Sequence, residues 1–373
     1  MEQREGHRPE VAEAADLAAL LELSRALLAT TSAGEVEVVL TELSVKLLAV
    51  RYASFLRYRP AEDDLCVTAQ AGKHARELGV VLPRGQGLSW RATDAPTPVL
   101  RVHRDAIPPG AVRQPGAPDQ FLLFAPLRTT GGQLLGVLAV GRVAPDFSLR
   151  DETLLATFAN TGTVTLERIA QAAQAVAARE GALLALGLAL EARDYETRGH
   201  TERTVALAER LGRALHLSLG DLDTLRQGAY LHDIGKLSVP DEILLKPGPL
   251  TPAERLLVQE HVRTGEALVR RIPSVSGDVL GVIRSHHERW DGAGYPDRLR
   301  GEAIPLLARI FAVVDVFDAL TNVRPYHAAR PVSEALEIIR AEAGRHFDPL
   351  VAAAFLQLFG ASLDDVRRVS PTG

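Results

Sequence analysis

The sequence predicts two domains: an α+β first half, with an antiparallel sheet and helices, joined by a long helix to an all-α second half. Three observations carry this. The chain has 373 residues, more than a single core usually organises, since domains run to roughly 100–200 residues. Strand-like runs punctuated by Gly-rich turns are confined to the first half, and beyond Glu191 the apolar residues recur almost wholly at helical spacing.

Taken in order, residues 17–28 and 35–50 place apolar side chains at helical intervals, and residues 52–58 and 65–70 read as strands. "FLLFAPLRTTGGQLLGVLAVGR", residues 121–142, predicts a hairpin across a Thr-Gly-Gly turn. Residues 148–169 are helical again. From there Leu166, Ile169, Ala173 and Val176 step by 3, 4 and 3, and the register continues through Glu180, Leu183, Gly187 and Leu190. This heptad-like seam fits either an amphipathic helix packed on its own domain or a parallel helix across a dimer. We expect the homodimer, because the helix joins two modules and has no other obvious core to cover. "TPAE" at 251–254 is a capping box with Pro at the first helical position, and it predicts one helix through His261 to Ile272. Asp348-Pro349 opens the last helix in the same way. Loops are expected at 237–250 and 291–305, and the ends, 1–14 and 363–373, are expected to be disordered or loosely ordered.

Composition excludes several classes. With 46% hydrophobic residues, 24% charged residues and a net charge of -5, the chain is neither a disordered nor a membrane-embedded sequence. Its acidic balance argues against binding a nucleic-acid polymer, so an anionic ligand must be held by a few placed cations or by metal. Cys66 is the single cysteine, which rules out a disulfide framework and a thiolate zinc site and fits a reducing compartment. The first 15 residues are polar, and the longest apolar run, 182–190, is far short of the roughly 20 residues a membrane span needs. The expectation is a cytoplasmic protein with no leader and no membrane anchor.

The chemistry-bearing residues gather in the second half. Glu196 and His200 lie four apart, the spacing that stacks two side chains on one helical face. His232 and Asp233 are adjacent at the end of an apolar stretch, His261 follows, and His286 and His287 stand side by side before a Gly-rich turn. Asp315 sits inside "IPLLARIFAVVDVFDALT", where an unpaired carboxylate would cost several kcal/mol and a bound cation removes the penalty. Capped or core histidines would explain one such residue but not the set. Imidazoles and carboxylates without thiolates make a nitrogen/oxygen site suited to iron, manganese, nickel or zinc. Adjacent ligands on a helix point about 100° apart, so the pairs 232/233 and 286/287 could each reach two neighbouring ions.

Two resemblances organise these observations. The flanking helices around an antiparallel sheet, closing with "FSLRDETLLATFANTGTVTLER", resemble a GAF sensory domain over residues 15–168. That implies a six-stranded sheet with helices on one face and a small-ligand or dimerisation role. Cys66 reads as a buried structural thiol rather than a chromophore attachment point, and neither Asn160 nor Asn322 precedes a Lys, so the Asn-Lys motif of cyclic-nucleotide-binding relatives is absent. The strings "LHDIGK" (231–236), "HHERWDGAGYP" (286–296), "VVDVFDALT" (313–321) and "RPY" (324–326) resemble the HD-GYP subgroup of the HD phosphohydrolase superfamily, with a linker at 169–190 and the catalytic domain at 191–362.

The second resemblance implies hydrolysis of cyclic di-GMP to pGpG, and in some members onward to GMP. It assigns metal ligation to His200, His232, Asp233, His261, His286, His287 and Asp315, and Glu196 resembles the extra acid of the trinuclear subset, so two or three divalent ions, iron or manganese, are expected. The chemistry is that of a hydroxide bridging two metals about 3.5–4 Å apart, with Asp233 fixing it and Lys236 neutralising a phosphate oxygen. Arg324 resembles a phosphate-binding cation; His327 stands where relatives often carry a second cation. Tyr295, between Gly294 and Pro296, offers a ring and a hydroxyl to guanine or phosphate, Glu288 is a candidate partner for a ligating imidazole, and Trp290 and Asp291 read as packing residue and loop cap. Two other functions fit the same residues: a weakly active receptor that signals through protein contacts, and an HD-type nucleotidase acting on mononucleotides.

Overall fold

A computed structural model of the chain describes residues 7–73, 77–106, 121–194, 199–323 and 329–360. The chain divides into two compact units, residues 1–175 and 176–373, each with its own core.

In the first unit, α1 (His7–Leu28) and α2 (Ala33–Leu47) precede β1 (Tyr52–Arg59), β2 (Asp64–Gly72) and β3 (Val81–Pro83). Then come α3 (Leu88–Thr93), β4 (Leu100–His103), β5 (Phe121–Arg128), β6 (Leu134–Arg142) and α4 (Leu149–Asp194). The strands form one antiparallel sheet in the order β3-β2-β1-β6-β5-β4, the six strands the resemblance implied. Alternation along the strands sends Ala53, Phe55, Leu123, Leu138 and Val140 to one face, where Leu27, Leu40 and Phe158 of α1, α2 and α4 cover them. Leu56, Val67, Phe124 and Val137 point to the other face, which α3 closes with the buried Trp90. Helices therefore lie on both faces, not one, because β6 is buried along its whole length and its second side needs cover as well. α2 begins two residues earlier than periodicity indicates, at a capping box: Ser32 Oγ accepts the Glu35 amide at 3.3 Å and Glu35 Oε2 accepts the Ser32 amide at 3.4 Å. α1 starts at His7, so residues 7–14 are helical rather than disordered, while residues 361–373 lie outside the described residues. Cys66 is half-buried in β2 with a free thiol.

Along α4 the seam positions are divided between packed and exposed. Leu166 and Ile169 pack against the first core and Leu183 against a cluster of the second. Leu190 is buried, Gly187 lies against Thr201, and Glu180 pairs with Arg226 at 2.8 Å. Those positions have cores to cover within the chain, while Ala173 and Val176 of the same seam are exposed; the large apolar residues exposed on α4 are Leu149, Val164, Val176, Leu186 and Leu188. By length and composition alone α4 is also apolar enough to cross a membrane, a property that counting uninterrupted runs misses.

The second unit is helical throughout: α5 (His200–Ala214), α6 (Leu219–Leu231), a 3-10 turn (Ile234–Ser238), α7 (Asp241–Leu244), α8 (Pro252–Gln259), α9 (His261–Val269), α10 (Gly277–Ser285), a second 3-10 turn (Gly301–Ala303), α11 (Leu306–Thr321), α12 (Val332–Ala341) and α13 (Pro349–Gly360). α11 is apolar nearly all round and forms the centre of the core through Ile310, Phe311, Val313, Val314 and Phe317. The helix expected over 251–272 is two helices. α8 opens on the Thr251 capping box as read, then Glu260 breaks the run and α9 starts at His261. Short helical turns also occupy parts of both expected loops.

Candidate metal centre

The centre is built from helix ends, where backbone carbonyls lack intrahelical partners. His232 follows the last residue of α6, His286 follows the last residue of α10, and His261 follows the break after α8. Each uses the same device: Nδ1 lies 2.8 Å from Ala229 O, 2.9 Å from Ile283 O and 2.6 Å from Val258 O, respectively, always three residues back. A carbonyl oxygen only accepts, so Nδ1 carries the proton and Nε2 of the neutral ring is a lone pair turned inward. His200, the first residue of α5, donates Nδ1–H to Asp318 Oδ2 at 2.8 Å. The consequence is unusual chemistry for a protein interior. His261 Nε2 lies 3.5 Å from His286 Nε2, and His200 Nε2 lies 3.5 Å from His232 Nε2.

Two adjoining groups result, Asp233/His261/His286/His287 and His200/His232/Asp315, with the ligand atoms of each within 4.8 Å of one another. Asp233 joins them. Its Oδ1 is 3.2 Å from His261 Nε2 and its Oδ2 is 3.1 Å from His232 Nε2. Oδ1 is buried and makes no hydrogen bond among the described residues. Lone pairs facing lone pairs, with an orphaned carboxylate oxygen between them, fit a divalent cation and little else. Burial opposes ionisation of Asp233, but Lys236 Nζ at 2.7 Å from Oδ2 holds the carboxyl well below its usual range. Asp315 too is held below its usual range against the cost of burial. Burial, reinforced by neighbouring imidazoles, pushes His286 well below 6.5, and burial brings His287 to about 4, so both rings are neutral ligands near pH 7. Phe311, fully buried, packs on His232 and His286 with ring centroids 4.7 and 6.2 Å apart.

Each of the seven described residues expected as a ligand is in this cluster; Glu196, Arg324 and His327 lie outside the described residues. α5 starts at His200 after Gly199 in the left-handed region (φ 82°), and the expected pairing of position 196 with His200 falls outside the described residues. The pair 286/287 also differs from expectation: α10 has ended, the rings lie 4.0 Å apart at 43°, and both enter the same group. The pair 232/233 does split between groups. Among the described residues Glu288 holds no imidazole. Its carboxylate, 1% exposed, accepts the amides of Asp297 at 2.7 Å and Leu299 at 3.0 Å and so pins the turn that carries Tyr295. The Tyr295 ring lies on His287, 4.8 Å between centroids, and at Gly294 any Cβ would overlap the Arg289 nitrogen. Asp291 accepts the Ala293 amide at 3.0 Å and Trp290 packs beneath Arg309, the loop-cap and packing roles anticipated for them.

Sequence reasoning missed Asp318, which receives His200 at 2.8 Å and Arg203 Nε at 2.7 Å. It is as enclosed by apolar neighbours in α11 as Asp315, so the same argument applies to it. Glu191 was also missed; it accepts the amides of Gly199 at 3.1 Å and Thr201 at 2.5 Å and holds the start of α5.

Comparison with known proteins agrees with this geometry. Residues 188–351 match the HD domain model and residues 30–167 the GAF domain model. A cyclic di-GMP phosphodiesterase of Thermotoga maritima is 40% identical over 184 residues, covering 49% of this chain and 50% of that protein. The cyclic di-GMP phosphodiesterase response regulator RpfG of Xanthomonas campestris is 44% identical over 173 residues, 46% of each chain. A 3'3'-cGAMP-specific phosphodiesterase of Vibrio cholerae is 39% identical over 176 residues, 46% of this chain and 33% of that one. The chain thus spans between a third and a half of the length of these relatives, and HD domains bind divalent metal. Residues 30–167 of this chain are a GAF domain and residues 188–351 an HD domain.

Proposed function

We propose that this chain is a metal-dependent phosphodiesterase that hydrolyses cyclic di-GMP to pGpG, controlled by its GAF domain. One observation carries the reading: Asp233, buried and ionised, spans two groups of inward-facing ligands with Oδ1 left unsatisfied. Two or three divalent ions, iron or manganese by the nitrogen/oxygen donor set, are held by His200, His232, Asp233, His261, His286, His287 and Asp315, with Glu196 as the added acid. When bound, such ions supply an activated water and Lewis acidity toward the phosphodiester. The protein supplies the rest. Carbonyls at 229, 258 and 283 fix three ring orientations, and Asp318 fixes a fourth. Arg324 offers positive charge to phosphate and His327 a ring nitrogen, Lys236 adds its charge from beside Asp233 and Asp194, and Tyr295, whose ring lies on His287, serves a base or phosphate. The overall reaction adds water across one P–O3′ bond and opens the ring.

The domain limits 15–168, 169–190 and 191–362, a small-molecule ligand for the GAF domain, a cytoplasmic location and a homodimer along α4 belong to the same proposal. The free Cys66 thiol supports a reducing compartment. Exposed Val164, Val176, Leu186 and Leu188 on α4 support self-association.

The test is turnover of cyclic di-GMP by anaerobically purified protein loaded with Mn(II) or Fe(II), beside 3'3'-cGAMP and mononucleotides. Cyclic di-GMP is expected to yield pGpG, and Asp233→Ala to reduce the rate at least about hundredfold with its metal content. Tight binding of cyclic di-GMP without turnover would select the receptor, and preference for mononucleotides the nucleotidase.

A further inference from the structure

Lys236 is engaged by acids beside the centre. Its Nζ lies between two carboxylates, 2.7 Å from Asp233 Oδ2 and 3.0 Å from Asp194 Oδ2. The Asp194 side chain is 2% exposed and that of Lys236 15%. Asp194 is the last residue of α4, and its neighbour Arg193 grips the same segment: it donates to Lys236 O at 3.0 Å, Val239 O at 2.8 Å and Asp241 Oδ1 at 2.7 Å. The end of α4 therefore holds both the backbone and the ammonium group of the turn that follows Asp233.

Asp233 Oδ2 is contested. It faces His232 Nε2 at 3.1 Å, in the position of a ligand shared between the two groups, and it also accepts an ammonium. A cation on a carboxylate oxygen lowers that oxygen's donor strength and repels a divalent ion beside it, strongly so in a site shielded from water. The more completely Lys236 belongs to Asp233, the weaker the metal site. Asp194 draws the ammonium the other way.

We infer that Asp194 is a positioning residue: by sharing the Lys236 ammonium it limits the competition between Lys236 and a divalent ion for Asp233 Oδ2, so that the placement of the last turn of α4 sets the metal affinity of the centre. The inference rests on the metal-centre reading above and gives the helix that leaves the sensory domain a specific lever on it.

Mn(II) affinity of the full-length protein, measured by equilibrium dialysis, tests it without reference to turnover. Asp194→Asn is expected to weaken binding by about tenfold, the usual scale for a residue that supports a ligand, and Asp194→Glu to restore it. Lys236→Met is expected to tighten binding, and in that background Asp194→Asn should change affinity by less than about twofold. An equal loss in both backgrounds, or no loss in either, overturns the inference, as does weaker binding by folded Lys236→Met. Should either single variant fail to fold, the double variant, which removes both charges of the pair, decides: binding at least as tight as wild type supports the inference, and weaker binding refutes it. Wild-type protein that takes up no Mn(II) would instead sink the metal centre itself.

Discussion

At the residue scale, the centre is a set of protonation choices. His286 and His287 are held neutral because burial penalises their charged forms, His287 down to about 4. In the unfolded chain both titrate near 6.5. Between those values the unfolded state binds more protons, so stability rises with pH across the window. Metal-free protein is expected to lose thermal stability as pH falls from about 6.5 toward 4, and His287→Gln to make that slope shallower. Melting temperatures followed by circular dichroism in chelator would show it; identical slopes for wild type and variant across the window would contradict the assignment. The residues themselves were readable from the sequence because an acid or imidazole beside apolar neighbours must be compensated. Asp318 shows the limit. It satisfies the same criterion as Asp315, and only the Nδ1 contact of His200 reveals that one acid holds a ring while the other faces the cluster.

At the scale of elements, three of the imidazoles, His232, His261 and His286, sit where a helix stops. That placement was not readable at 251–272, where an unbroken apolar period conceals the break at Glu260, nor at 286/287, where a helical angle was assumed past the end of α10. Close packing of the turn after Asp233 against α9 is equally a product of the fold. At Gly235 a Cβ would overlap the His261 carbonyl oxygen and lie 2.6 Å from the Gly265 nitrogen, backbone that cannot step aside cheaply. Gly235→Ala is therefore expected to push Asp233 away from His261. Urea titration should show a loss of about 1–3 kcal/mol, and Mn(II) binding should weaken with it. Unchanged stability and affinity together would mean that the turn is not held against α9 as described.

At the scale of the whole molecule, two cores imply two unfolding events. The centre draws its ligands from the region of residues 200–315, so a divalent ion should stabilise the second unit alone. Calorimetry is expected to show the transition of that unit rising with Mn(II), by about 2.7 kcal/mol at a hundredfold excess over Kd, while the other stays fixed; equal movement of both would show the units unfold as one. The sequence by itself determined the chemistry and the class of fold: strand and helix periods, the capping box at Thr251, and imidazoles and acids set among apolar neighbours are all local signals, readable within a turn or two of chain. Tertiary structure decided which acid spans the two groups, which one orients a ring, that α3 closes the second face of the sheet, and which positions of the α4 seam pack against the chain's own residues and which stay exposed. Those outcomes depend on distances between segments tens of residues apart, and such distances are fixed only when the cores close.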